Sequence, residues 1–114
     1  MHEVSVADSL LKIAVDECRR SGYARINNVR VSIGKASGVM PEALLFAFDA
    51  LKADTIASGA ALTIEEVPVA GHCSACNSDF TTDESFVLCC PMCGSSSYSI
   101  HAGRELDIKD MEVD

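Results

Sequence analysis

With 114 residues, 48% of them hydrophobic, the chain can support one compact core and a small appendage, because a chain of this length buries roughly two-thirds of its surface. Its formal charge of −8 opposes binding to nucleic-acid phosphates and anionic membranes, and no apolar run approaches the ~18 residues of a membrane span. We therefore expect a cytoplasmic protein without membrane insertion and without a nucleic-acid partner.

The first segment, from Val4 to about Arg20, has the pattern of an amphipathic helix. Its apolar residues recur at steps of three and four, and charged residues occupy the other positions. Glycine permits the left-handed conformation that ends many helices, so we expect the helix to stop near Gly22. The predicted buried face consists of Ala7, Leu10, Leu11, Ala14 and Cys18.

A strand and a second helix follow. Val29, Val31 and Ile33 alternate with polar residues, which is the period of a strand with one buried face. Proline suits the first position of a helix, and we expect the second helix to begin at Pro41 and to continue until Gly59 interrupts it. The predicted core stripe of this helix consists of Leu44, Leu45, Phe48 and Leu51.

Two later segments, Leu62–Val69 and Leu106–Val113, have the same pattern. Each alternates between apolar and polar residues, slips by one residue at a charged pair, and then alternates again. Because such a slip exchanges the two faces of a strand, each segment contains a bulge or buries opposite faces in its two halves. We expect the segments to pair as an antiparallel hairpin, with Pro68 at an edge or a strand end because it lacks an N–H donor.

This order of elements predicts an α+β fold in which two helices pack on a three-stranded sheet. The helices and the sheet form an α/β domain over residues 1–69 and 102–114, and residues 70–101 are an inserted domain at the tip of the hairpin. The insert is rich in small polar residues and cannot form a core without a staple. Its bulky cover consists of Phe80, Phe86, Val87 and Leu88.

Four cysteines supply that staple. They form two C-x-x-C pairs, and the second pair encloses Pro91 and is followed by Gly94. Each pair presents two thiolates, and two pairs complete a tetrahedral shell around Zn²⁺ with no position left for water. The site is therefore structural, and zinc contributes folding energy to a zinc-ribbon-like loop domain. The predicted zinc ligands are Cys73, Cys76, Cys90 and Cys93.

The other cysteines and the identity of the metal leave alternatives open. Cys89 could compete as a ligand, but it lacks the two-residue spacing to Cys93, so we favour Cys90. Cys18 lies on the apolar face of the first helix and is expected in the core. Iron is the rival metal, since similar cysteine knuckles occur in rubredoxin-like electron carriers.

The opening residues Met1-His2-Glu3 offer a second metal-binding pattern. The amine of Met1, the amide nitrogen of His2 and its imidazole are spaced to close fused chelate rings around one ion. Ni(II) and Cu(II) favour such square-planar nitrogen ligands, and the amide nitrogen or the carboxylate of Glu3 could fill the fourth corner. The alternative is that His2 is a solvated side chain and Glu3 only a favourable charge at a helix N-terminus.

Together these motifs resemble the hydrogenase nickel-incorporation proteins of HypA type, a family of small metallochaperones. The resemblance spans the whole chain, from the Met-His-Glu start through the Ser32-Ile33-Gly34 turn and the insert cysteines to residues 111–114. It implies that Met1, His2 and Glu3 bind nickel as transferred cargo, and that the zinc loop is structural. It further implies a carrier, not an enzyme, which passes nickel with a HypB-type GTPase to the large subunit of a [NiFe] hydrogenase.

The resemblance leaves several properties open. Some relatives carry a histidine after each cysteine pair, where this chain has Ser78 and Gly94 nearby. Here His72 and His101 flank the insert, and we expect a hinge or surface role for both. A homodimer with exchanged strands, the hydrogenase served, and delivery to urease are not determined by the sequence.

A zinc-ribbon module that binds nucleic acid or protein without transferring nickel is the main alternative. The absence of Lys and Arg between Gly71 and Gly103 opposes the nucleic-acid version. An enzyme is favoured still less, because no pairing of nucleophile and base and no glycine-rich phosphate loop stands out.

Overall fold

The computed structural model describes residues 2–114, and Met1 lies outside the described residues. The chain forms two helices and two three-stranded sheets, which confirms the predicted α+β class. Within residues 2–114, neither helix combines the length and the apolar character that a membrane span requires. The elements are α1 (Glu3–Arg20), β1 (Ile26–Gly34), α2 (Pro41–Leu51), β2 (Ala61–Val67), β3 (Val69–Cys73), β4 (Ser78–Thr82), β5 (Tyr98–Ala102) and β6 (Leu106–Val113).

Helix α1 has the predicted buried face and the predicted end. All five apolar residues of the stripe are buried, and they pack with β1 and α2 in the main core. Gly22 adopts a φ of 85°, and the N–H groups of Gly22 and Tyr23 donate to the carbonyls of Arg19 and Cys18. The left-handed glycine therefore satisfies carbonyls that the helix end would otherwise leave unpaired.

The first sheet has the order β2-β1-β6, which corrects the predicted hairpin. Strand β1 lies in the middle, with β2 parallel to it on one side and β6 antiparallel on the other. Strands β2 and β6 therefore do not pair with each other. The physical reason is that α2 forms the crossover that a parallel β1–β2 pair requires, so β2 takes one edge of β1 and leaves the other to β6.

The predicted slip produces a bulge in only one of the two segments. Arg30 faces Asp110 and Val31 faces Ile108, so Lys109 is an extra residue in β6. Strand β2 instead runs in unbroken register along β1. Pro68 separates β2 from β3, and the prediction of a strand end at this residue is confirmed.

Helix α2 is shorter than predicted. It ends at Leu51, and a turn follows in which the Thr55 hydroxyl donates to the carbonyl of Lys52 and accepts from the N–H of Ala57. The side chain of Thr55 thus offers the backbone an alternative to further helical bonds. Leu44 and Phe48 are buried as predicted, but the other two leucines of the stripe are more than a third exposed: Leu45 and Leu51.

The second sheet has the order β4-β3-β5 and carries a small core of its own. Phe80 is buried there and meets the Tyr98 ring edge-to-face, with centroids 6.1 Å apart. Val87 is partly buried against this cluster. Two of the four predicted cover residues instead face solvent, since Phe86 is 64% and Leu88 is 80% exposed.

Candidate functional site

The four predicted cysteine ligands come together at one end of the second sheet. The Sγ atoms of Cys73, Cys76, Cys90 and Cys93 all lie within 4.8 Å of one another. Cys73 ends strand β3, and the other three belong to the turns around it. Two of these cysteines, Cys73 and Cys90, are buried, so the sulfur cluster forms part of the small core.

The spacing of the sulfurs fits a tetrahedral zinc ion. Sulfurs bound to zinc at about 2.3 Å lie about 3.8 Å apart in a regular tetrahedron. The Sγ atoms of Cys73 and Cys93 are 3.6 Å apart, and those of Cys76 and Cys90 are 3.9 Å apart. Both distances are far above a disulfide bond and close to the edge of that tetrahedron. The donor set can therefore enclose one tetrahedral ion.

Both cysteine turns end in a left-handed residue. Gly94, which follows the second pair, has a φ of 78°, a conformation that glycine adopts without steric cost. Asn77 follows the first pair with a φ of 55°, and sequence reasoning did not single it out. The residue type alone could have indicated this backbone conformation, because Asn tolerates a positive φ better than other residues with a side chain. In the second turn the N–H of Met92 also points at the Cys90 sulfur, 3.4 Å away.

The electrostatics of the cluster favour a bound cation. Burial opposes ionisation of Cys90, but the N–H groups of Met92 and Cys93 and the neighbouring thiols outweigh it and lower its pKa to about 7. At Cys93 the N–H of Ser95 favours the thiolate, but lost hydration and the other three thiols outweigh it and raise its pKa to about 12. One sulfur therefore ionises at the expense of its neighbours, and a divalent cation would stabilise four thiolates together.

The remaining cysteines lie outside the cluster. Cys89 is exposed beside Cys90, and Cys18 is buried in the main core. The position of Cys89 outside the cluster and the burial of Cys18 agree with the sequence reasoning. The two flanking histidines are also separate from the sulfurs: the Nδ1 atom of His72 lies 2.8 Å from the Asp79 carboxylate, and His101 is exposed on β5.

The candidate nickel residues lie at the start of α1. His2 occupies the N-cap position, its side chain is exposed, and its carbonyl accepts the N–H of Val6 at 3.1 Å. His2 and Glu3 line an open groove together with Phe46 of α2. The predicted ligand Met1 lies outside the described residues. Of the three predicted nickel residues, the structure thus brings His2 and Glu3 to one exposed end of the helix.

The Glu3 side chain has a partner that the sequence did not reveal. Its Oε2 atom accepts the N–H of Met40 at 3.1 Å. This bond is the main reason that the pKa of Glu3 is lowered, and a smaller opposing contribution comes from desolvation. Met40 is the N-cap of α2, so the carboxylate of Glu3 links the beginnings of the two helices.

Comparison of the sequence with known protein families shows which family the chain belongs to. The family described as "Hydrogenase/urease nickel incorporation, metallochaperone, hypA" matches residues 1–113. The chain belongs to the HypA family. The resemblance in its motifs is therefore confirmed, and the alternative of an unrelated zinc ribbon is not favoured.

Individual relatives of the HypA family match the chain from end to end. It is 38% identical over 114 residues to the hydrogenase maturation factor HypA of Albidiferax ferrireducens, and the match covers 100% of both chains. It is 41% identical over 113 residues to the HypA of a Picosynechococcus species, with 99% of each covered. The solution structure of the Ni metallochaperone HypA from Helicobacter pylori is 26% identical, with a TM-score of 0.70 over 99% of this chain and 97% of that chain.

Proposed function

We propose that the chain is a nickel metallochaperone, which binds Ni(II) at its N-terminus and delivers it for the maturation of [NiFe] hydrogenase. The observation that carries this proposal is membership of the HypA family over essentially the whole chain, with an exposed His2 at the start of α1. The chain acts as a carrier and not as an enzyme. Ni(II) is its cargo, and Zn²⁺ is its resident metal.

The nickel ligands we propose are Met1, His2 and Glu3. The amine of Met1, the amide nitrogen and imidazole of His2, and one donor of Glu3 make up a four-cornered set of the type that Ni(II) prefers. Because the Glu3 carboxylate already binds Met40, we assign the fourth corner to the backbone nitrogen of Glu3. This nitrogen belongs to the first residue of α1, and the first N–H groups of a helix lack an acceptor within the helix.

Exposure of this site supports release of the ion. A partner can approach an N-terminal chelate on an open helix end and replace its ligands one at a time. A buried site of the same composition would have to open before each transfer. The helix holds the ligands in place through the Val6–His2 and Glu3–Met40 hydrogen bonds and leaves the imidazole accessible.

Zinc is proposed to stabilise the second sheet. Cys73, Cys76, Cys90 and Cys93 would hold the ion, and a shell of four thiolates supplies cross-linking between the turns and no open position for chemistry. We retain the division into a nickel-binding domain of residues 1–69 and 102–114 and a zinc-binding domain of residues 70–101 as part of the proposal. The separate cores of the two sheets support it.

The partners we propose are a HypB-type nickel GTPase and the large subunit of a [NiFe] hydrogenase, and the compartment is the cytoplasm. The charge of −8 supports protein partners with basic surfaces. A homodimer is compatible with this function.

Replacement of His2 tests the proposed function. Untagged protein is titrated with Ni(II) and followed by calorimetry and by the absorbance bands of square-planar nickel. His2→Ala should abolish the bands and nickel-dependent hydrogenase maturation, whereas the exposed His101→Ala serves as the matched control and should change neither. Full nickel binding by His2→Ala would refute the proposal.

A further inference from the structure

An open cleft of about 620 Å³ lies between the start of α2 and the loop that follows β4. Met40, Pro41 and Glu42 line one side of the cleft, and Asp83 and Ser85 line the other. The cleft lies next to the start of α1, because the N–H of Met40 binds the carboxylate of Glu3. The proposed nickel site lines a separate groove with Phe46, and the hydrogen bond between Glu3 and Met40 connects it to the edge of the cleft.

Large apolar side chains are exposed in the cleft and along the loop that follows Ser85: Met40 lines the cleft, and Phe86 and Leu88 line a separate groove together with Cys89. Met40 is 65%, Phe86 is 64% and Leu88 is 80% exposed. We call residues 83–88 the cleft loop. Apolar side chains that remain exposed together on a folded protein commonly mark a surface that binds another molecule.

The cleft loop is anchored in a way that directs these side chains outward. Val87 is partly buried against the cysteine cluster, and its carbonyl accepts the hydroxyl of Tyr98 at 2.5 Å. Phe86 and Leu88, on either side of Val87, are the exposed ones. Because Val87 packs on the small core, the cleft loop is held there while Phe86 and Leu88 remain exposed to solvent.

The charge around the cleft is predominantly negative. Three carboxylates line it, from Glu42, Glu66 and Asp83, against the single ammonium of Lys35. The Nζ atom of Lys35 lies 3.7 Å from Oδ1 of Asp83. Within residues 2–114, neither Glu42 nor Glu66 forms an ion pair. The loop side of the cleft cannot supply more cations, since residues 71–103 contain no Lys or Arg.

We propose that the cleft and the cleft loop together form the docking surface for the protein that receives nickel. This inference rests on the proposed function. The occupant is a protein segment that places an apolar side chain against Phe86 and Leu88 and a Lys or Arg beside Glu42 and Glu66. A second copy of this chain or an anionic membrane fits less well, because each would bring negative charge to a surface that is already acidic.

Binding of two purified proteins, the GTPase and the precursor of the hydrogenase large subunit, tests this surface. The variants are Phe86→Ser with Leu88→Ser, and Glu42→Gln with Glu66→Gln. Matched controls on the exposed part of α1 are Ile13→Ser and Asp16→Asn. We expect each cleft double variant to weaken the binding of the large-subunit precursor, which receives the nickel, by about tenfold or more, and both controls to leave it unchanged.

Three measurements on the same samples separate the explanations. Zinc content and circular dichroism establish that each variant is folded, and the charge variant, which leaves the cleft loop intact, keeps the test valid if the apolar variant unfolds. Nickel titration tests the proposed function independently of docking. Unchanged affinity of the cleft variants for the large-subunit precursor would overturn the inference, even if their affinity for the GTPase fell. It would also be overturned if the cleft variants kept this affinity but lost a homodimer or binding to anionic phosphatidylserine vesicles.

Discussion

Gly34 and Gly103 meet where the two sheets join. A Cβ atom on Gly34 would lie 2.0 Å from the carbonyl oxygen of Gly103, a separation that no side chain can occupy. Backbone hydrogen bonds also join the segments around this contact. The N–H of Ala36 donates to the carbonyl of Gly103 at 2.7 Å, and the N–H of Lys35 donates to the carbonyl of Val67 at 2.9 Å. The turn after β1 therefore binds both segments that connect the two sheets, the one that enters β3 and the one that leaves β5.

Replacement of Gly34 should disrupt this junction. Because a Cβ at position 34 meets backbone and not a movable side chain, Gly34→Ala should lower the free energy of unfolding by at least about 2 kcal/mol. The matched control is Gly59→Ala, whose Cβ would have no neighbour within 4 Å. Urea unfolding of the zinc-loaded proteins measures both effects. Equal stability of the two variants would show that the contact does not constrain the junction.

The zinc assignment predicts opposite behaviour for two adjacent cysteines. Cys90 belongs to the sulfur cluster and Cys89 is exposed, so Cys90→Ser should lose stoichiometric zinc and Cys89→Ser should retain it. Metal analysis of the purified proteins gives the stoichiometry, and amide exchange of the second sheet reports its stability. We expect rapid exchange throughout β3–β5 in Cys90→Ser, since zinc binding contributes to folding. Zinc retained by Cys90→Ser but lost by Cys89→Ser would reverse the assignment.

Asp114 should make stability depend on pH at the acidic end. Hydrogen bonds from Asn27 and then from Arg25 lower its pKa below the ordinary value of 3.8. A carboxylate whose pKa is depressed by folding stabilises the protein above its unfolded pKa, and this contribution disappears as pH falls through the folded value. Asp114→Asn should therefore be less stable than the parent at pH 6, and the difference should shrink below about pH 3.8. Urea unfolding of metal-free samples of both proteins at each pH measures it, and a constant difference would argue against the carboxylate as its source.

The sequence determined which segments form the first core, but it did not determine how the strands pair. The alternation of Val29, Val31 and Ile33 located β1, and the stripe of α1 was correct at every position. The similar patterns of β2 and β6 were interpreted as those of direct partners, whereas they are similar because both lie beside β1. Periodicity reports which face of a strand is buried, and it carries no information about the identity of its neighbour.

The cysteine cluster could be predicted from the sequence to a greater extent than the surroundings of His2 and Glu3. Two C-x-x-C turns fix the positions of their sulfurs locally, and one strand pairing brings them together, so spacing alone identified the cluster. The contact between Glu3 and Met40 joins residues far apart in the chain and depends on the packing of α1 against α2. No local pattern encodes such a contact, and the same holds for the cleft beside it.

The central claim is that a free N-terminal amine, together with His2, binds the nickel. Extension of the N-terminus by the two residues Gly-Ser moves that amine away from His2 without substituting any residue of the chain. We expect calorimetry to show nickel affinity reduced by at least about a hundredfold, with the absorbance of square-planar nickel lost and the zinc content unchanged. Nickel binding of undiminished affinity by the extended protein would contradict the account.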